Sequence, residues 1–291
     1  MEASITMRDH VNPGRLLRRL AVIAAIMTFS ALLPSVARAQ YSAPRLSEEA
    51  IGEKYHVELS GSFWNPGLSG EVSSDQFGIK GTSLDLVNDL GFEATRFRDF
   101  GIVLRPAKKH RFRFQNTPID YVATTALPRT IKYNGISYPA TLPVEAEFAW
   151  KVRRFGYEYD FAYMDRGFVG VLLEGRYTQF SSSLKSTSPF LVASEFTTAS
   201  APLPSIGVVG RGYVMPNVAL NFELSGFRVP AHFRDTAIGN YYDWDISGTV
   251  NLTNNVGVQA GWRRMTTHIE LQNNSGDFKF QGLWFGAAAR F

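Results

Sequence analysis

From residue 54 onward, apolar and polar side chains alternate with a period of two rather than at helical spacing. In 241–252, Tyr242, Trp244, Ile246, Val250 and Leu252 take one parity, while Asp243, Asp245, Ser247, Thr249 and Asn251 take the other. That alternation describes a strand with two unlike faces. After a turn at Thr253–Asn255 it resumes with Val256, Val258, Ala260 and Trp262 against Gln259 and Arg263. If Leu252 faces Val256, Asp245 falls opposite Arg263, and opposite charges across a ladder stabilise it. Similar hairpins are predicted over 204–224, 144–181 and 100–115, with a first strand over 54–64. In 144–163 the apolar set changes parity, from Val144, Ala146, Phe148, Trp150 and Val152 to Phe155, Tyr157, Tyr159 and Phe161. A bulge at Arg153–Arg154 would account for the change.

Connection lengths separate the two architectures that such strands can build. Counted back from Phe291, links at 272–277, 229–240, 182–203, 124–143 and 66–97 alternate with shorter ones at 253–255, 215–217, 164–167 and 106–109. Short turns on one side and longer loops on the other are the mark of a transmembrane barrel. A sandwich with Greek-key connections need not segregate them. The expectation is an all-β chain whose residues 54–291 form a single antiparallel up-and-down transmembrane β-barrel. The count is about ten strands, with eight or twelve as alternatives. Charges interrupt every apolar run beyond residue 40 too soon for a spanning helix.

The first 39 residues follow a different rule. Arg8, Arg15, Arg18 and Arg19 precede an apolar run from Leu20 to Leu33 and then Ala37-Arg38-Ala39, the layout of a secretory signal peptide. Its five arginines and two acids account for +3 of the chain's net +4, so the basic balance is no argument for nucleic acid. Residues 40–53 are polar and are expected to be a mobile periplasmic lead-in. The chain has no cysteine, which excludes a disulfide framework, a thiolate metal site and a thiol nucleophile.

The chain ends "GLWFGAAARF", apolar where a soluble terminus would be polar. Phe291, Ala289, Ala287, Phe285 and Leu283 share one face. Gly286 and the terminal Phe291 resemble the C-terminal signal of Gram-negative outer-membrane barrels. That resemblance implies recognition by the barrel-assembly machinery and residence in the outer membrane, with its lipids and lipopolysaccharide as partners. Ala289 and Trp284 depart from the usual pattern of that signal.

The polar face becomes the lumen in such a barrel. It collects eight arginines (105, 111, 113, 154, 176, 211, 263 and 290) and seven acids (Glu58, Glu158, Asp160, Glu174, Glu223, Asp243 and Asp245). A near-neutral set suits a narrow interior filled by paired charges. Candidate pairing residues are Asp245, Arg263, Glu223, Arg211, Glu174 and Arg176. The alternative is a small passive pore for ions or small solutes. A second alternative is a rim hydrolase acting on lipid A or peptides, with His268 and Glu270 on one strand face, His232 and Asp235 in a loop, and Ser181 nearby as its weak candidates. No cofactor and no metal site is expected: there is no paired-His spacing, and Asp85, Asn88 and Asp89 lack calcium-loop spacing. The stretch 81–93 instead reads as a loop or short plug. Trp150, Tyr177, Tyr242, Trp244 and Trp262 read as an outer aromatic girdle. A monomeric structural or surface-interaction barrel is the expected function.

Overall fold

The computed structural model describes residues 50–74, 81–133, 135–188, 194–229, 237–271 and 274–291. The expected leader at 1–39, most of the 40–53 segment and His232 lie outside them. Ten long strands form the barrel: β1 (Val57–Ser74), β3 (Phe97–Ala107), β4 (His110–Ala126), β7 (Pro143–Met164), β8 (Gly167–Ser186), β9 (Ser194–Met215), β10 (Val218–Arg228), β11 (Ala237–Asn251), β12 (Val256–Leu271) and β13 (Asn274–Arg290). Each pairs antiparallel with its neighbour, and β13 pairs with β1 over 17 residues, Glu58 opposite Arg290 through Ser74 opposite Asn274. Closure leaves no unpaired barrel edge. Three short strands, β2 (Leu84–Asp85), β5 (Ile131–Tyr133) and β6 (Ile136–Tyr138), lie in the longer connections.

The seam between β1 and β13 explains Gly286 without reference to any signal. A Cβ there would stand 2.7 Å from the Gly61 carbonyl oxygen and 2.8 Å from the Ser62 Cβ, so only glycine fits. Phe291 lies just past the strand, largely exposed, and its carbonyl accepts hydrogen bonds from the amides of His56 (2.7 Å) and Val57 (3.0 Å).

At one end the strands are joined by tight turns at Lys108–Lys109, Asp165–Arg166, Pro216–Asn217 and 252–255, beside Val57 and Arg290. The longer connections share the other end, here called the upper one. Strands run further toward it than the sequence pattern suggests: β1 to Ser74, β8 to Ser186 and β9 from Ser194. The last of those connections narrows from the expected 272–277 to 272–273. The reason lies in the outer face. Around the lower half it carries an apolar band that includes Phe63, Phe100, Phe155, Leu173, Ile246 and Phe285, whereas above it the outward residues are mostly polar, with Val122 an exception. A reading keyed to outward apolar side chains therefore stops at the edge of the band.

The expected bulge at Arg153–Arg154 is absent. Register is continuous there, with Arg154 opposite both Gln115 and Arg176, and the irregularity in β7 lies between Tyr159 and Ala162. Even-numbered residues point inward as far as that irregularity, from Val144 through Trp150 and Arg154 to Asp160. It is the interior that changes, from charged below to apolar above.

Candidate functional site

The lower interior is built from the inward residues of all ten barrel strands. Eight arginines and eight carboxylates form ion pairs there. Arg111 pairs with Glu158 and with Asp160 (2.5 Å). Arg113 bridges Glu158 (3.1 Å) and Glu223 (2.6 Å). Arg154 binds Glu174 (2.6 Å) and Glu223, and Arg176 binds Glu174 (2.7 Å). Arg290 reaches Glu58 across the seam at 2.5 Å. Pairing of this density satisfies charges that burial would otherwise penalise.

Two acids in this set escape the sequence pattern. Asp99 shares the inward parity of Arg105 but precedes the apolar part of β3; it lies 3.1 Å from Arg263. Glu53 precedes the strands altogether. Its carboxylate accepts from Arg211 (2.9 Å) and the Tyr213 hydroxyl (3.1 Å), and it faces Arg105 (3.5 Å) and Arg111 (3.8 Å). Residues 50–53 are therefore fixed in the barrel mouth, at the inner end of the segment expected to be mobile. The Ile51 amide donates to the Pro216 carbonyl (2.7 Å), and Asn251 Nδ2 donates to the Ile51 carbonyl (2.6 Å). Gly52 makes this possible, with φ +85° and Asn251 and Arg290 at 2.8–3.0 Å from where a Cβ would sit. Nothing periodic marks such a strap in the sequence.

The anticipated cross-strand partnership also resolves differently. Asp245 and Arg263 are directly opposed in the ladder, yet Arg263 turns to Asp243, donating from Nη2 at 2.6 Å and from Nε at 3.0 Å. Asp243 also accepts from the Tyr241 hydroxyl (3.0 Å), Arg176 (3.3 Å) and Arg154 (3.4 Å). A long guanidinium side chain reaches the diagonal neighbour as readily as the direct one, and three cations converge on Asp243. Asp245 forms no ion pair to a described residue; it accepts one hydrogen bond, from Trp284 Nε1 at 2.5 Å. It lines a cavity of about 210 Å³ together with Ser60, Ser62, Ser247 and Gln259.

Above the charges lies an apolar core. Trp150 is 1% exposed and stacks on Phe180 at 4.8 Å, with Phe280 at 5.3 Å and Phe278 at 6.0 Å. Arginine faces join the two tiers: Arg176 lies 4.2 Å from the Tyr241 ring centroid and Arg263 5.2 Å from that of Trp64. Trp150 is thus no part of an outer girdle. Tyr177, Tyr242, Trp244 and Trp262 do face outward, and the rings of Trp244 and Trp262 meet at 4.6 Å.

The stretch 81–93 covers this core, burying Leu84, Leu86, Leu90 and Phe92. Asp85 caps its turn by accepting from the amides of Val87 (2.9 Å) and Asn88 (2.7 Å), and Gly91 closes it with φ +71°. Arg129 clamps it, with Nη2 donating to Asp89 (2.6 Å) and to the Ser83 carbonyl (2.8 Å). Hydrogen bonds from Arg129 hold the Asp89 carboxyl below its ordinary value. Its contribution is thus present above the unfolded value of about 3.9 and lost as pH falls through the lower folded value. Amide protection at Leu90, corrected for intrinsic exchange, should hold down to about pH 4 and fall below it. Arg129→Gln should lower protection above pH 4 and flatten its dependence on pH; a wild-type profile in the variant would remove the clamp.

Of the hydrolase candidates, His268 and Ser181 are not brought together. His268 Nδ1 lies 2.7 Å from Asp277 Oδ1 on the outer wall, at 33% and 66% side-chain exposure. Ser181 sits on β8, opposite Ala149 and Thr198, four strands from β12. Glu270 is in register opposite Ile238, and its side chain lies outside the described set. Among the described residues no group of three or more His, Asp or Glu is placed to hold a metal ion.

No family model and no curated protein sequence matches the chain. Among solved structures, the outer membrane protease OmpT from Escherichia coli is similar over 81% of this chain and 97% of its own, with a TM-score of 0.51 and 11% identity. Neisserial surface protein A is similar over 81% of this chain and 97% of its own (TM-score 0.33, 14% identity). Ail of Yersinia pestis is similar over 79% of this chain and 99% of its own (TM-score 0.33, 9% identity). The chain has the closed antiparallel barrel fold of outer-membrane proteins.

Proposed function

We propose that the protein is a non-conducting barrel of the outer membrane, serving a structural or surface-interaction role. The observation that carries this is the aromatic tier that crosses the upper interior. The strap lies in the lower mouth, ion pairs line the cavity of the lower half, aromatic rings occupy the upper half, and 81–93 covers the top. A pore needs a continuous polar path, and the Trp150–Phe280 tier interrupts it. The apolar outer band suits a bilayer. In this orientation the tight turns face the periplasm, reached through an N-terminal leader, and assembly uses the terminal signal carried by Gly286 and Phe291. Above the band β7 continues for about ten residues, roughly 30 Å along the strand at 3.3 Å per residue. That extension gives a rigid platform outside the membrane. A hydrolase receives less support, since the His268–Asp277 pair lies on an open wall and Ser181 is remote.

Planar bilayers test the proposal. The purified barrel should insert without stepwise current, whereas reproducible unitary steps from the intact chain would overturn it in favour of the pore.

A further inference from the structure

The lower interior holds one carboxylate more than it holds arginines. The eight ion-paired carboxylates match the eight arginines there, and Asp245 is the ninth. Its ladder neighbours do not supply a cation. Arg263, opposite on β12, is held by Asp243 and Asp99, and Glu223, opposite on β10, is held by Arg113 and Arg154. Trp284 reaches Asp245 Oδ2 from β13 by passing over Gly261 of β12, where a Cβ would stand 2.7 Å from the indole nitrogen. Only a residue without a side chain leaves room for that hydrogen bond. Asp245 Oδ1 has no hydrogen-bond partner among the described residues, and neither have the hydroxyls of Ser60 and Ser62 or the amide oxygen of Gln259. These four side chains line the same cavity of about 210 Å³.

We propose that this cavity binds one small primary ammonium compound, with its cationic nitrogen against Asp245. An alkylammonium group brings a single positive charge and three N–H donors with no acceptor. That matches one carboxylate without an ion pair and a set of oxygens without donors. Water alone would satisfy the oxygens but leave the charge without a counterion in a confined site, which is costly. A multivalent metal ion fits less well, since no group of three or more His, Asp or Glu among the described residues is placed to hold one. Trp64, Phe168 and Val209 line the cavity as well. They offer packing to a short alkyl chain and, at the rings, a face to its cation; a hydrated alkali ion uses neither. The volume exceeds the roughly 30 Å³ share of one water several-fold, which leaves room for a short-chain amine.

The test follows the indole N–H signals of the five tryptophans by NMR, in the folded barrel in zwitterionic micelles. Trp284→Phe identifies the Trp284 signal. Ethylammonium chloride should shift that signal saturably, with a dissociation constant in the millimolar range expected for so few atoms, and should leave the Trp150 signal in place. Potassium chloride and tetramethylammonium chloride at equal ionic strength carry the charge without N–H donors and should give no saturable shift. Asp245→Asn keeps an acceptor for Trp284 but removes the charge, and should weaken binding by about tenfold or more. Asp120→Asn, on the outer wall, should respond as wild type. Indole signals recorded before ligand is added report folding of each variant, and the comparison of the three salts on the wild type stands even if a variant does not fold. No saturable shift with ethylammonium, equal saturation by potassium or tetramethylammonium, or wild-type affinity in folded Asp245→Asn would overturn the proposal. The cavity lies below the aromatic tier, so bilayer conductance tests the non-conducting reading separately.

Discussion

Asp243→Ala should lower the unfolding free energy of the barrel by about 3–5 kcal/mol, the range for removing one partner from a buried ion pair. Asp243 is nearly inaccessible, and its two oxygens accept five hydrogen bonds, two from Arg263 and one each from Arg176, Arg154 and Tyr241. Without it, Arg263 keeps Asp99 and Arg154 keeps Glu174, but three guanidiniums face one another in a confined space. Asp245, two residues along on the same face, should behave differently. Among the described residues it is the luminal carboxylate without an ion pair, so Asp245→Ala removes a negative charge that Arg263 offsets only in part, along with one hydrogen bond from Trp284. The two effects oppose each other, and the net change should stay within about 1 kcal/mol. Adding Arg263→Ala to Asp243→Ala should not restore stability fully, because Asp99 then loses its cation at 3.1 Å. Urea midpoints of these variants in lipid vesicles measure all three quantities. A loss for Asp245→Ala as large as for Asp243→Ala would refute the assigned pairing.

Trp150→Ala should cost about 3–5 kcal/mol through the cavity it leaves, and the damage should concentrate in the upper half. The ring sits among Phe180, Phe280, Phe278 and Tyr241, and its Nε1 donates to the Thr178 hydroxyl. The stretch 81–93 and the short strands β5 and β6, which bury Ile131, Tyr133 and Tyr138 in the same core, should become protease-sensitive while the lower barrel stays closed. Trp262→Ala is the matched comparison. Trp262 packs on Trp244 outside the barrel, so its loss should alter lipid contact and leave the upper segments protected. Equal protease sensitivity in the two variants would place Trp150 on the outer wall.

The contrast between these tryptophans shows where sequence reasoning reaches its limit. Period-two alternation says that two faces differ; it does not say which one looks inward. For β11 and β12 the polar face is interior, and the alternation identifies Asp243, Asp245 and Arg263 as facing the lumen. For the upper part of β7 the interior is itself apolar, so Trp150 and Phe148 carry the sign of a lipid-facing set while pointing inward. A parity change that resembles a bulge is a change of medium along an unbroken strand. The same ambiguity hides the upper strand extensions, whose outward residues are polar because water surrounds them.

Ion pairing was legible as composition and only partly as partnership. Seven acids and eight arginines share one parity in the sequence, so a nearly neutral interior follows from counting. Which acid meets which arginine depends on the reach of side chains across a curved, twisted wall, and Arg263 passes over the residue directly opposite for its diagonal neighbour. Glu53 and the 81–93 cap depend on chain return. Both are non-periodic segments whose buried contacts come from residues distant in sequence, such as Arg211 with Glu53 and Arg129 with Asp89.

An antiparallel barrel of about ten strands with tight turns at one end follows from local properties alone: strand period, turn chemistry and connection length. That an aromatic tier crosses the upper interior emerges only in three dimensions: it depends on which side chains from opposite walls meet across the lumen, and no local pattern records those distances.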